Sequence, residues 1–410
     1  MKKLYLGVAL MYLGIVASHA QTTKQTSTTD STTYQLRKLK VDEVNLVSAV
    51  YHQDGNHSAV TGGIGTENLT DFANTIDLQM SNYTKRGRKN TFLFELGVDH
   101  YTSASSDKID PATISSASMQ DTRIYPSLNW TSLNETTGNA FGFTGSYSHE
   151  FDYQSFGGAF NLTRAFNNKN TEFDLKLQAF LDTWQVILPI ELRPPPYNIS
   201  SGNRHDNRGS ETFAPRNSFS AAFSISQVIN TRLQMLIMAE PSYQHGLLAT
   251  KYQRDYFTDG SERAENLPGG RYKLPIAARV NYFLDDQYII RAYYRYYMDN
   301  WGIRAQTAEL EVPVKLSSFV SVSPFYRFNT QIGTRYFAPY GQHLATDTYY
   351  TSDYDLSTLH SSFIGAGIHL TPPHGVFGIQ SLNTLELRYG HYIRSTDLSS
   401  NIVTLSLKFK

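Results

Sequence analysis

From residue 44 to the C-terminus, apolar and polar side chains alternate with period two in run after run. In the closing stretch "NIVTLSLKFK", Val403, Leu405, Leu407 and Phe409 fall on one face, and Thr404, Ser406 and Lys408 on the other. Phe92, Phe94, Leu96 and Val98 oppose Glu95, Gly97 and Asp99 in the same way, as Leu310, Val312, Val314 and Leu316 oppose Glu309, Glu311 and Lys315. Successive side chains of a strand point to opposite faces, so the pattern predicts strands with one apolar and one wetted face. Marking every such run gives about 16 strands, with 14 to 18 as the range. Each has roughly the 9 to 14 residues that a tilted strand needs to cross a bilayer.

The links between these runs differ in length. "KRGRK", "LNETTGN", "NNKN", "INTR", "LDDQ" and "SSF" are short, whereas 53–72, 103–121, 185–216, 245–272 and 331–358 are long and rich in Gly, Asp, Asn, Ser, Thr and Tyr. Tight turns on one side and long loops on the other are the pattern of an outer-membrane barrel. The expected fold class is all-β, a transmembrane antiparallel β-barrel over 44–410 with short periplasmic turns and long extracellular loops. A soluble sandwich or propeller explains the alternation but not the one-sided loop lengths. No segment after residue 20 is long and apolar enough for a spanning helix, and only helices and closed barrels satisfy every backbone group in lipid.

The N-terminus agrees with export. "MKK", the apolar run "LYLGVALMYLGIVA" and the small residues of "SHA" read as a Sec signal peptide over 1–20, cleaved after Ala20. Residues 21–43 then form an N-terminal periplasmic segment, and the expected location is the cell outer membrane, with its lipids and the barrel-assembly machinery as partners. The formal net charge of zero argues against nucleic acid as a partner. The absence of cysteine excludes disulfides, lipoprotein processing and thiolate metal sites.

With the apolar face toward lipid, the polar face lines the lumen, and its charges become the candidate functional residues. In "IIRAYYRYYMDNWGI", Arg291 and Arg295 face inward and Tyr294, Tyr296 and Met298 outward, with Trp301 placed at the strand's outer end among the interface rings. Glu309, Glu311, Lys315 and Arg327 join them on the following strands. A turn near Asn300 sets Arg291 opposite Glu309 or Glu311, and a turn near Ser318 sets Arg327 opposite Glu309. Glu386, Arg388, Arg279, Glu95 and Asp99 extend the lumen set. These charges read either as salt bridges that hold the wall in shape or as a constriction that selects solutes by fixed charge.

Other motifs carry less. Gly62, Gly63 and Gly65 lack the helix that a phosphate-binding loop requires, so they read as a tight loop at the barrel rim. Asp347, Asp353 and Asp355 among tyrosines in 336–360 read as a calcium or sugar site, or as an ordered cap. Ser148 and His149 point to opposite faces of a strand, and no zinc-hydrolase spacing occurs, so no catalytic residue, metal or cofactor is assigned and enzyme activity is not expected. The leading function is a porin-like channel for small polar solutes. The alternatives are a non-transporting scaffold and, third, a barrel hydrolase.

Four stretches carry a family resemblance: "SAVTGGIGTENLTD" at 58–71, "YYRYYMDNWGIRAQTAELEVP" at 293–313, "SPFYRF" at 323–328 and "YYTSDYDLS" at 349–357. On these the chain resembles DUF3570, a family common in Bacteroidota. Gln306 and Thr307 stand where a His-Thr pair is expected, which removes a histidine ligand there. The resemblance implies an outer-membrane barrel in a Gram-negative cell. It also implies a setting beside a small lipoprotein, a thioredoxin-like protein and an exported flavin system, and hence a periplasmic lipoprotein or redox protein as a partner.

Overall fold

The computed structural model describes residues 38–102, 120–193 and 212–410. The signal peptide and most of the N-terminal segment, residues 1–37, lie outside the described residues. Sixteen strand positions follow in chain order: β1 (Lys40–Gly55), β2 (Leu69–Tyr83), β3 (Arg88–Thr102), β4 (Gln120–Asn134), β5 (Ala140–His149), β6 (Tyr153–Phe166), β7 (Thr171–Gln185) and β8 (Phe213–Asn230). Then come β9, in two pieces (Leu233–Ala239 and Ser242–Gly246), β10 (Gly270–Phe283) and β11 (Ile289–Asp299). The last are β12 (Arg304–Glu311 and Val314–Lys315), β13 (Val320–Ile332), β14 (Leu359–Leu370), β15 (Leu382–Arg394) and β16 (Leu398–Phe409). The first strand starts at Lys40, so the barrel begins slightly before the expected residue 44. Pro313 splits β12 because it brings no N–H to the ladder.

Every neighbouring pair is antiparallel, and β1 pairs with β16 from Val44↔Phe409 to Gly55↔Leu398, which closes the sheet. Closure leaves no edge of unpaired backbone groups, as lipid demands. Leu310, Tyr326 and Ile364 lie side by side across β12, β13 and β14, and all three are exposed. Large apolar chains stand outward on strand after strand, among them Phe72, Phe94, Leu128, Phe156, Ile237 and Ile276. An apolar exterior of this extent has its solvent in hydrocarbon rather than water.

Link lengths depart from strict alternation. Outer links 150–152, 300–303 and 395–397 are tight, and the inner link 371–381 is extended. In 300–303 the cause is visible: Asp299 Oδ1 accepts the N–H groups of Trp301 (3.0 Å) and Ile303 (2.9 Å), a side-chain turn that needs no long loop.

Two facing glycines make room for rings inside the wall. Gly365 pairs with Gly390, and a Cβ on Gly365 would come within 2.1 Å of the Tyr389 carbonyl oxygen and 2.5 Å of the Phe325 ring. Gly365→Val should therefore destabilise the barrel by about 1–3 kcal/mol or more, the scale of overpacking. The check is the temperature at which the folded band is lost on an SDS gel, and an unchanged temperature would count against the packing described.

Candidate functional site

The lumen charges form a paired ladder on β11–β15. Register sets Arg291 opposite Glu311, and Arg291 Nη1 reaches Glu311 Oε1 at 3.1 Å. Arg388 Nη2 approaches the other oxygen of Glu311 at 3.5 Å, and Arg388 Nη1 lies 3.3 Å from Glu386. Arg327 Nε meets Glu309 Oε2 at 2.5 Å. Arg388 also lies over the Phe325 ring at 5.1 Å, and Arg327 over the Phe363 ring at 5.6 Å. Rings and carboxylates together hold these guanidinium groups flat against the wall.

Other lumen charges stand apart from that ladder. Arg279 lies over Tyr293 at 5.6 Å, and Arg295 makes a long 3.4 Å contact to Thr307 Oγ1. Neither has a carboxylate partner among the described residues. Lys315 lies in register with Ser321 on the inward side. Across the barrel, Glu95 pairs in register with Asp77, and Asp99 Oδ1 accepts the Tyr125 hydroxyl at 2.9 Å. Sequence reading missed Asp71 and Asp77, although strict alternation in "TDFANTID" already puts both on the face opposite Phe72. It also missed the apolar lumen residues Leu236 and Met238, whose registers with Arg279 and Ala277 turn them inward. A water-accessible cavity of about 710 Å³ runs along this part of the wall, lined by Arg279, Arg295, Tyr293, Met238, Thr307 and Asn329 among others.

The outer end is built from loops 56–68, 186–193, 247–269 and 333–358, which pack on one another. Arg254 in a short loop hairpin (Arg254–Tyr256 with Glu262–Ala264) binds Glu191 at 2.5 Å and the Val60 carbonyl at 3.1 Å, joining three loops. His57 stacks on Tyr354 with ring centres 3.8 Å apart. Gly62 and Gly63 take φ of 77° and 82°, and a side chain on either would strike Tyr256 or Tyr354. The glycine stretch is thus a rim loop seated against two others. Trp301 departs from expectation. It is 2 % exposed, packed with Leu248, Ala249 and Leu267, and covered by the Arg271 guanidinium at 4.3 Å. The side-chain turn on Asp299 directs the indole inward to the loop body instead of outward to the membrane interface.

Buried charges hold the loop body together. Glu265 is 2 % exposed and accepts the Thr351 hydroxyl at 2.6 Å and the Thr250 N–H. Burial pushes its carboxyl up to about 8, and burial likewise raises Asp255 to about 6. Asp353 caps the turn at Tyr354–Leu356 by accepting the Asp355 N–H, which makes this end of 336–360 a structural segment. At its base, Asp355 pairs with Arg394 of β15, and Asp355 and Leu356 line the lumen cavity.

One constellation resembles hydrolase chemistry. His343 Nε2 lies 3.3 Å from Ser352 Oγ, and its Nδ1 lies 3.9 Å from Asp347. Ser352 is buried and donates its hydroxyl to the Ala338 carbonyl at 2.9 Å, so its oxygen faces packed loop instead of a substrate cleft. Asp121, Glu150 and Asp152 gather at the outer end of the wall, where Arg123 approaches Glu150 at 3.6 Å and Tyr101 donates to it.

Comparisons with known proteins come from sequence and from structure. A search of curated proteins returns no match. Among solved structures, OccK7 (OpdD) of Pseudomonas aeruginosa aligns over 91% of this chain and 98% of its own, with 9% identity and a TM-score of 0.39. A mutant of the ferric enterobactin receptor PfeA of the same organism aligns over 86% of this chain and 53% of its own, at 10% identity and a TM-score of 0.46. A bacterial polysaccharide outer membrane secretin aligns over 90% and 98%, at 9% identity and a TM-score of 0.43. Residues 99–376 match the sequence profile described as "Protein of unknown function (DUF3570)", and the chain belongs to that family.

Proposed function

We propose that the protein is an outer-membrane channel that passes small polar solutes through a hydrated, charged lumen. The supporting observation is the water-accessible cavity inside a closed sixteen-strand wall, lined by guanidinium groups that remain exposed. A wall of sixteen strands is wide enough to leave an aqueous path, unlike an eight-strand one that its own side chains fill. Fixed charges of both signs along that path would sort solutes by charge.

Stepwise conductance of the purified protein in planar bilayers is the test, with discrete openings expected. Silence at every voltage would sink an open channel. The packed loop body at the mouth favours one competing reading, a non-transporting scaffold for a periplasmic lipoprotein or redox partner. A stoichiometric partner co-purifying from native membranes, together with a silent bilayer, would support that reading instead.

A further inference from the structure

Two facing walls of the lumen carry opposite excesses of unpaired charge, although Lys89 also stands inward at the inner end of β3 and Glu172, Asp174 and Lys176 stand inward on β7. On the inward faces of β2 and β3 stand Asp71, Asp77, Glu95 and Asp99, and among the described residues none has an ion-pair partner. On β10 and β11 stand Lys273, Arg279 and Arg295, likewise without one. In a ring of sixteen strands, β10 and β11 lie eight positions from β2 and β3, which is directly across the pore. An anion in the lumen is thus drawn to the β10–β11 wall and turned away from the facing one.

On that wall one place gathers several features. Register puts Ala277 opposite Arg295 and Tyr293 opposite Arg279, so the two arginines are diagonal neighbours on adjacent strands. Their Cβ atoms are then roughly 7 Å apart, close enough for two long guanidinium forks to converge on one carboxylate. On one side of the pair lie Leu236 and Met238, apolar residues on a face that is elsewhere polar. On the other lie Thr307 and Asn329, already hydrogen-bonded to each other at 2.8 Å. The Arg327–Glu309 pair closes the patch along the wall as a neutral unit.

Two uncompensated cations beside an apolar patch, both open to one cavity, define an amphiphilic anion. We infer that Arg279 and Arg295 form a binding station for a small organic carboxylate with an apolar body. Its carboxylate sits between the two guanidinium groups, and its apolar part lies on Leu236 and Met238. The inference rests on the channel reading for the path by which the solute arrives, but binding at the station does not require current to flow.

Benzoate is the probe, and acetate is its control without an apolar body. With the full protein in planar bilayers, benzoate should interrupt the potassium chloride current at concentrations at least tenfold lower than acetate. Arg279→Ala/Arg295→Ala should raise the half-blocking benzoate concentration at least tenfold and move the reversal potential toward cation selectivity. Arg279→Gln/Arg295→Gln, which removes both charges but keeps a polar chain with an amide donor, serves if the alanine pair fails to fold by its heat-shifted band on a gel. Equal block in the parent protein and the double variant would overturn the station, and equal block by acetate and benzoate would overturn its apolar half. If the bilayer stays silent, the channel reading fails, and equilibrium dialysis of radiolabelled benzoate against the detergent-solubilised protein decides the station alone. Saturable binding lost in the double variant upholds it, and no saturable binding overturns it.

Discussion

Trp301→Ala should release the loop body from the mouth of the barrel. The indole is the largest side chain in the cluster with Leu248, Ala249 and Leu267, and its Nε1–H donates to the Gly270 carbonyl at 3.2 Å. Its face carries the Arg271 guanidinium, which Asp299 holds from the other side at 2.6 Å. Removing a buried tryptophan costs about 3–5 kcal/mol, and here the loss falls on the loop cluster of Leu248, Ala249 and Leu267. The barrel ladder does not depend on this residue, so the damage should be local. Limited proteolysis should then cut within 247–269 and 333–358 while the barrel keeps its heat-resistant band, and single-channel conductance should rise. Loops as resistant as those of the parent protein would show that the indole does not hold them.

The loop body should also loosen as pH rises, with Glu265 titrating last among several buried loop carboxyls. Burial raises its folded-state carboxyl from the ordinary 4.5 to about 8, so the folded loops favour the protonated acid. Its stabilising contribution is complete below about 4.5 and is lost as pH climbs through about 8. Each tenfold change in proton affinity is worth about 1.4 kcal/mol, so the loss across this window amounts to a few kcal/mol. Asp255, raised by burial to about 6, and Asp353 and Glu67, each raised by burial to about 7, act in the same direction at lower pH. His343 acts in the opposite direction. Burial holds its imidazole below the ordinary value of 6.5, so its contribution is lost as pH falls below 6.5. Protease sensitivity of the loops should therefore increase steeply from pH 6 to 9, with a shallower rise on the acid side. Glu265→Gln keeps an oxygen acceptor but cannot ionise, so it should flatten the part of the alkaline limb near pH 8 and leave the acid side unchanged. A rise near pH 8 that survives this substitution would assign it to another group.

The barrel was legible because its two solvents write a period-two pattern on every strand. Alternation in "ELEVPVKL" and "SPFYRF" sufficed to place Glu309 and Arg327 on one face, and their register follows from the tight turn between β12 and β13. Arg291 had two possible partners, and the register with Glu311 was decided by the turn at 300–303. That same turn defeated the reading of Trp301. Sequence alone gives a ring near a strand end, and the direction it takes depends on loops far away in the chain. The contacts among those loops, such as Arg254 with Glu191 and Val60, join segments with no shared periodicity. Leu236 and Met238 escaped notice for a related reason, since "LQMLIMA" is apolar at nearly every position and cannot reveal which face is wet.

The pairing of β1 with β16 sets the order in which the molecule can be made. Its twelve residue pairs join the two ends of the folded chain, so this ladder cannot begin until the last strand has been synthesised and exported. Until then both strands carry open backbone donors and acceptors that hydrocarbon will not tolerate. A partly assembled wall is consequently either outside the bilayer or shielded along both edges. Deletion of the final twelve residues would leave a long sheet with two raw edges and a strong tendency to pair with its own copies.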